Sequence, residues 1–194
     1  MKTANQKRMS TEKLVFGALL TALVVLLQFL GSFIRFGPFA ISLVLVPIVI
    51  GAAVCGTKVS TWLGFVFSVV VLFTDAAAFL AISIPATIIT VLVKGTACGL
   101  VAGLVYQLIA KKNRYAAVVA AAIVCPLVNT GIFLLGCVLF FFEALREWGL
   151  GYGFDNVFEF LIIGMVGVNF LFELATNIIL SPVIVRILNI KKHN

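Results

Sequence analysis

The chain has 194 residues, of which 63% are hydrophobic and only 11% are charged, and its mean hydropathy is +1.23. This composition excludes an ordinary soluble domain and indicates an integral membrane protein. A membrane-spanning helix needs about 20 apolar residues, so the chain has room for about six crossings and for no sizeable soluble domain. We therefore expect a single membrane domain over residues 1–194.

Six apolar stretches predict six transmembrane helices. The stretches are continuously apolar rather than alternating, which favours helices over the strands of a membrane barrel. The expected fold is an all-α, six-helix bundle with spans at residues 14–34, 39–56, 60–75, 84–110, 115–142 and 158–190. The first stretch follows a basic segment, but it is too long for the apolar core of a signal peptide and is expected to stay as a span.

Lysine and arginine residues predict the orientation of these helices. If six helices alternate, most basic residues fall on one side, while the other side keeps Arg35 and Arg146 together with most of the acidic residues. Because basic loops stay in the cytoplasm, both termini are expected to be cytoplasmic. The net charge of +7 is then a topology signal, and we expect no nucleic-acid partner.

The first predicted helix carries small side chains on one face. Gly17, Ala18, Thr21 and Ala22 recur at three- and four-residue spacing, which lets another helix approach closely. Spacing alone leaves two interpretations open. The face packs inside the chain's own bundle, or it receives a partner protein.

Polar residues inside the last three predicted helices mark a candidate site, because hydrocarbon disfavours them and they commonly line substrate or ion paths. They are Lys94 in the fourth helix, Asn129 and Thr130 in the fifth, and Asn169, Glu173 and Asn177 in the sixth. Counting inward from the predicted helix ends places Lys94, Asn129, Asn169 and Glu173 near mid-depth. We therefore expect them to share one cavity.

Two interpretations of this cluster remain open. In one, Lys94 and Glu173 form a structural ion pair, and the asparagines close hydrogen bonds between helices. In the other, Lys94 faces a cavity open to the outside, with Thr87 and Thr90 on the same helical face, and binds an anionic or polar ligand group. The two are compatible if Glu173 holds the lysine until a ligand carboxylate competes for it.

Residues that commonly carry catalysis or bind metals are poorly placed for either role. The cysteines lack metal-ligand and disulfide spacing, and the single histidine, His193, lies in the tail. The cysteines are Cys55, Cys98, Cys125 and Cys137. We expect no catalytic residues, no metal site, no cofactor and no enzyme activity.

Several stretches, in this order, are similar to those of a known family. They are the AxxxA pattern of Ala18 and Ala22 after a basic start, FGPFAISLVLVPIVIGAAVCG in the first loop and second helix, VKGTACGLVAGLVYQL in the fourth helix and VNTGIFLLG in the fifth. Together with the length and the six predicted spans, they resemble the substrate-binding S components of energy-coupling-factor (ECF) vitamin transporters. The resemblance covers nearly the whole chain.

This resemblance implies a subunit of the cell membrane that captures a vitamin or related micronutrient from outside and has no ATPase of its own. Its expected partners are the lipid bilayer, a transmembrane coupling subunit and two cytoplasmic ATPase subunits. Ala18 and Ala22 match the family's docking motif. The family's ligand pocket is capped by outer loops, which here are residues 33–39, 75–84 and 143–158.

These loops complete the expected substrate-binding set. The first loop offers Arg35 and Phe36, and the last offers Trp148, for which an interfacial aromatic belt is the alternative. The full set is Arg35, Phe36, Thr90, Lys94, Asn129, Thr130, Trp148, Asn169 and Glu173. Lys94 and Arg35 favour a carboxylate such as pantothenate or a folate.

Two other classes of function compete with this interpretation. One is a self-sufficient secondary transporter with Glu173 as its proton or sodium site, against which stand the small size and the lack of a detectable inverted repeat. The other is a structural or assembly subunit without a ligand, which would show neither saturable binding nor uptake.

Overall fold

The computed structural model describes residues 11–33, 35–36, 39–40 and 43–193, without the side chains of 35–36, 39–40, 168 and 187–193. In this part of the chain nearly every residue is helical. The α-helices are α1 Thr11–Ser32, α2 Leu45–Val54, α3 Thr57–Thr74, α4 Ala77–Leu80, α5 Ile84–Ala110, α6 Arg114–Phe140, α7 Phe142–Gly151, α8 Val157–Glu159 and α9 Val168–His193. A π-helical segment, Phe160–Gly167, joins α8 to α9.

In the described part of the chain, five helical stretches are long and apolar enough to cross a membrane. They are Thr11–Ser32, Thr57–Thr74, Ile84–Ala110, Arg114–Phe140 and Val157–Arg186, and they correspond to the first and the last four predicted spans. The last of them runs through α8, the π-helical segment and most of α9. The all-helical membrane architecture expected from the sequence is therefore present.

The second predicted span differs from the structure. Its helix, α2, has only ten residues and is about 15 Å long, half the thickness of the hydrocarbon core. Residues 39–40 are not helical, because strand β2, Phe39–Ala40, pairs antiparallel with strand β1, Arg35–Phe36. The predicted helix over residues 39–56 was therefore too long. Six crossings with both termini in the cytoplasm stay a prediction.

Glycines allow α3 and α5 to pack backbone against backbone. A Cβ atom on Gly64 would clash with the carbonyl oxygen of Gly95, and one on Gly99 would clash with that of Ser60. Small residues permit such close approach between membrane helices, where dispersion contacts drive association. This contact fixes the position of α5, the helix that carries Lys94.

Among the described residues, the buried apolar side chains form two clusters. The larger cluster surrounds α2 and includes Val49, Leu63 and Ala121, while the smaller includes Phe79, Phe141 and Phe160. Side chains from both clusters line a cavity at the end of the bundle where α3 and α6 end and α5 begins. This is the end that the charge distribution predicts to face outside.

Candidate functional site

A single cavity brings together six of the predicted substrate-binding residues. It is lined by Thr90, Lys94, Asn129, Thr130, Asn169 and Glu173, which come from α5, α6 and α9. Its volume is about 120 Å³, which is room for several water molecules. The common cavity agrees with the expectation from helix depth, while a role of these residues in ligand binding stays a prediction.

The ammonium group of Lys94 lies between two aromatic rings. Its Nζ atom is 5.6 Å from the ring centroid of Phe67 and 5.2 Å from that of Phe133. Ring faces attract a cation and so offset part of the cost of removing it from water. A ring face does not occupy the N–H groups as an oxygen acceptor would, so the ammonium can still donate hydrogen bonds to a ligand.

Glu173 lines the same cavity and is only 6% exposed. Glu173 and Lys94 carry opposite charges and share this cavity, so Coulombic attraction acts between them. The backbone oxygen of Glu173 accepts a 2.9 Å hydrogen bond from Nδ2 of Asn177, one turn further along α9. The three polar residues singled out in the sixth predicted helix, Asn169, Glu173 and Asn177, are thus buried, and both interpretations of Lys94 and Glu173 remain open.

Among the cavity residues predicted from the sequence, Thr90 and Asn129 carry polar atoms without a hydrogen-bond partner in the described part of the chain. Thr90 and Asn129 are each 5% exposed, and within the described part of the chain Thr90 Oγ1 and Asn129 Oδ1 have no hydrogen-bond partner. By contrast, the hydroxyl of Thr87 donates to the carbonyl oxygen of Ser83 at 2.7 Å. A buried polar atom without a partner lowers stability, so a ligand group that pairs with it gains affinity.

Two polar residues of the cavity wall were not predicted from the sequence. Gln28 comes from α1, and Asp75 is the residue directly after α3. Gln28 lies inside the first apolar stretch, so the same rule that singled out Lys94 could have found it. The aromatic part of the wall was not predicted either, and it consists of Phe67, Phe79, Phe133, Phe141 and Phe170.

Three of the predicted residues are not seen in the cavity wall. Trp148 lies behind it, half-buried, in a neighbouring pocket that also includes Glu147 and Tyr152. The side chains of Arg35 and Phe36 lie outside the described residues, and only their backbone pairing is known. The first-loop contribution to the site therefore stays a prediction.

The predicted docking residues of α1 point away from the bundle. Ala18 and Ala22 are exposed, whereas Leu20, Val24 and Gln28 form the buried face of the same helix. In the described part of the chain, these two alanines therefore do not pack inside the chain's own bundle, which was the first of the two interpretations. Their face is available to lipid or to a partner helix.

Comparison with known proteins identifies the family. Residues 12–185 of the chain match the family model described as ECF transporter, substrate-specific component. No curated protein and no solved structure is matched by the chain. The family consists of transport components rather than enzymes, and the five long apolar helices make the chain a multi-pass membrane protein. The chain therefore belongs to the family of substrate-specific components of ECF transporters.

Proposed function

We propose that the protein captures a vitamin or related micronutrient from the extracellular side for an ATP-driven ECF-type importer. The observation that carries this proposal is the cavity, in which Lys94 and the unsatisfied atoms of Thr90 and Asn129 converge among aromatic rings. A largely apolar cavity with a few convergent polar groups is the usual form of a small-molecule site.

The cavity chemistry favours a ligand that carries a carboxylate. Lys94 supplies the positive charge, and a ligand carboxylate would replace or share its interaction with Glu173. A charge-assisted hydrogen bond of this kind contributes about 1.5–3 kcal/mol. The aromatic wall suits an apolar or flat remainder, so a pantothenate-like or folate-like carboxylate fits this chemistry.

Transport by such a subunit requires partners. The 194 residues contain no GxxxxGK[ST] phosphate-binding loop, so we assign ATP hydrolysis to two cytoplasmic ATPase subunits. A transmembrane coupling subunit would dock on the exposed face of α1 that carries Ala18 and Ala22. Membership of the ECF family supports this arrangement.

Mass spectrometry tests the proposal directly. Small molecules released by denaturing the purified protein are identified, and the same compound is then tested for saturable binding to the ligand-free protein. We expect one carboxylate-bearing compound with a stoichiometry near one per chain. A protein that releases no compound and binds none of the carboxylate vitamins supplied would contradict the proposal.

An ion-coupled secondary transporter is the second candidate function. The buried carboxylate of Glu173 in the cavity favours it, since intramembrane acids commonly serve as proton or sodium sites. Reconstitution of the chain alone into liposomes distinguishes the two functions. We expect binding without accumulation, whereas accumulation driven by a sodium or proton gradient would establish the secondary transporter.

A further inference from the structure

A second polar group lies in the cavity wall, nearer to the end of the bundle than Lys94. Nε2 of Gln28 donates a 2.6 Å hydrogen bond to Oδ2 of Asp75 and a longer one, 3.3 Å, to Oγ1 of Thr74. The Thr74 hydroxyl also bonds to Oδ2 of Asp75 at 2.9 Å. These bonds tie α1 to the end of α3 at the cavity.

The bonds to Asp75 and Thr74 fix the orientation of the Gln28 amide. An ionised carboxylate only accepts hydrogen bonds, so the amide must turn its NH₂ group toward Asp75. The amide oxygen, Oε1, then points elsewhere. It is buried and has no hydrogen-bond partner in the described part of the chain, and Gln28 as a whole is only 4% exposed.

Lys94 and the Gln28–Asp75 group have opposite hydrogen-bonding character. An ammonium group only donates hydrogen bonds, whereas Gln28 Oε1 and a carboxylate only accept them. The two groups also differ in depth, because Lys94 lies ten residues beyond Ile84, about 15 Å along α5, while Asp75 directly follows α3. Between these depths, Thr90, six residues beyond Ile84, offers a further hydrogen-bonding atom in Oγ1, while Asn129 lies at about the depth of Lys94.

We propose that Gln28, together with Asp75, is a second ligand anchor and that it accepts a hydrogen bond from a hydroxyl, amide N–H or ammonium group of the ligand. This proposal rests on the function proposed above and narrows the ligand class. The ligand is an extended carboxylate with the acid at Lys94 and a hydrogen-bond donor at the other end. A simple fatty acid of the same length fits less well, because it leaves Gln28 Oε1 unsatisfied.

Four six-carbon compounds serve as probes of this pairing. Hexanoate carries only the acid, hexylamine only the amine, and 6-hydroxyhexanoate and 6-aminohexanoate carry the acid and a donor at the far end. Binding to the purified protein in detergent is measured from the concentration dependence of thermal stability, since a ligand that binds only the folded state raises it. We expect the two bifunctional acids to bind roughly threefold to tenfold more tightly than hexanoate, and hexylamine to bind most weakly.

Substitutions of Gln28 and Asp75 test whether these two side chains cause the tighter binding of the bifunctional acids. Gln28→Met keeps the length of the side chain and removes the amide, so the advantage of 6-hydroxyhexanoate over hexanoate should disappear. Asp75→Asn should lower the affinity for 6-aminohexanoate relative to 6-hydroxyhexanoate, because the ammonium loses its countercharge. Gln107→Met, at an exposed glutamine of α5 outside the cavity wall, is the matched control and should keep both preferences.

The outcomes separate this inference from the proposed function. If Lys94→Met abolishes binding of all three acids but the far-end donor gives no advantage, or the advantage survives in Gln28→Met, the second anchor is overturned and the carboxylate site stands. If no acid binds the unmodified protein, both proposals fail for this class of ligand. If Gln28→Met does not fold, Asp75→Asn decides, and an unchanged preference between the amino and hydroxy acids overturns the anchor.

Discussion

Phe79 packs edge-on against Trp148, with ring centroids 5.5 Å apart and ring planes at 65°. Phe79 also contacts Phe133 and Phe141 edge-on, at centroid distances of 5.7 and 5.0 Å. It lines both the cavity and the neighbouring pocket, whereas Trp148 lines only the pocket. Phe79 therefore connects Trp148 to the cavity. A ligand that displaces the Phe79 ring would change the environment of the Trp148 indole.

Trp148 should report ligand binding by its fluorescence. The chain has two tryptophans, and the other, Trp62, is 53% exposed and hydrogen-bonded to Thr21 on α1. In Trp62→Phe, we expect a saturable change in emission when the compound released from the purified protein is added back. Trp148→Phe, which keeps only Trp62, should show no such change. A signal that persists in Trp148→Phe and is lost in Trp62→Phe would place the ligand away from this cavity.

Lys94→Met should weaken ligand binding in a protein that remains folded. The methionine keeps the length of the side chain and its contacts with Phe67 and Phe133, but it removes the charge that attracts a carboxylate. A lost charge-assisted hydrogen bond corresponds to an affinity loss of roughly tenfold to a hundredfold. Affinity and thermal stability are measured for Lys94→Met, Glu173→Gln and the double variant.

The double variant distinguishes the two interpretations of Lys94. If Lys94 serves mainly as the partner of Glu173, the single change leaves a buried acid without its countercharge and destabilises the bundle. Removal of both charges would then restore stability and affinity together. We expect instead that affinity stays low whenever Lys94 is absent, whatever residue stands at 173.

Most of the polar side chains in the cavity wall were predictable because hydrocarbon penalises polar side chains wherever they occur. Lys94, Asn129 and Glu173 stand out in apolar helices, and counting residues from the helix ends gives their depth. The aromatic part carries no such signal. Phe67 and Phe133 could equally have faced lipid, and only the rotation of each helix against its neighbours places them beside Lys94.

The extent of α2 was not predictable from hydropathy. Residues 39–56 form one continuous apolar stretch, yet Phe39 and Ala40 pair with the preceding strand, and the helix begins at Leu45. Apolar character alone does not distinguish a helix from a strand. The π-helical segment at Phe160–Gly167 was also missed, since its hydrogen-bonding pattern has no marker in the composition of that stretch.

Replacement of Ala18 and Ala22 by leucine should weaken assembly with the coupling subunit. Both alanines are exposed on α1, opposite the face that carries Leu20, Val24 and Gln28, so larger side chains would not disturb the chain's own core. We expect the isolated double variant to keep its ligand affinity and thermal stability, and to be lost from the complex when the coupling subunit is affinity-purified. Ala116→Leu, at an exposed alanine of α6, is the control. Loss of ligand binding with assembly intact would show that this face is not the docking surface.

Gly99→Ala should destabilise the protein because it forces α3 and α5 apart. The added methyl group would clash with the backbone carbonyl of Ser60, and neither backbone can move aside without shifting a whole helix. Overpacking of a close contact typically costs about 1–3 kcal/mol.

Gly131→Ala is the matched control, because a Cβ atom at that α6 position meets nothing within 4 Å. Alanine has the higher helix propensity, so this second change should leave stability unchanged or raise it by up to about 1 kcal/mol. Thermal unfolding of both variants in the same detergent gives the comparison, and equal stability of the two would contradict the close backbone contact that positions Lys94.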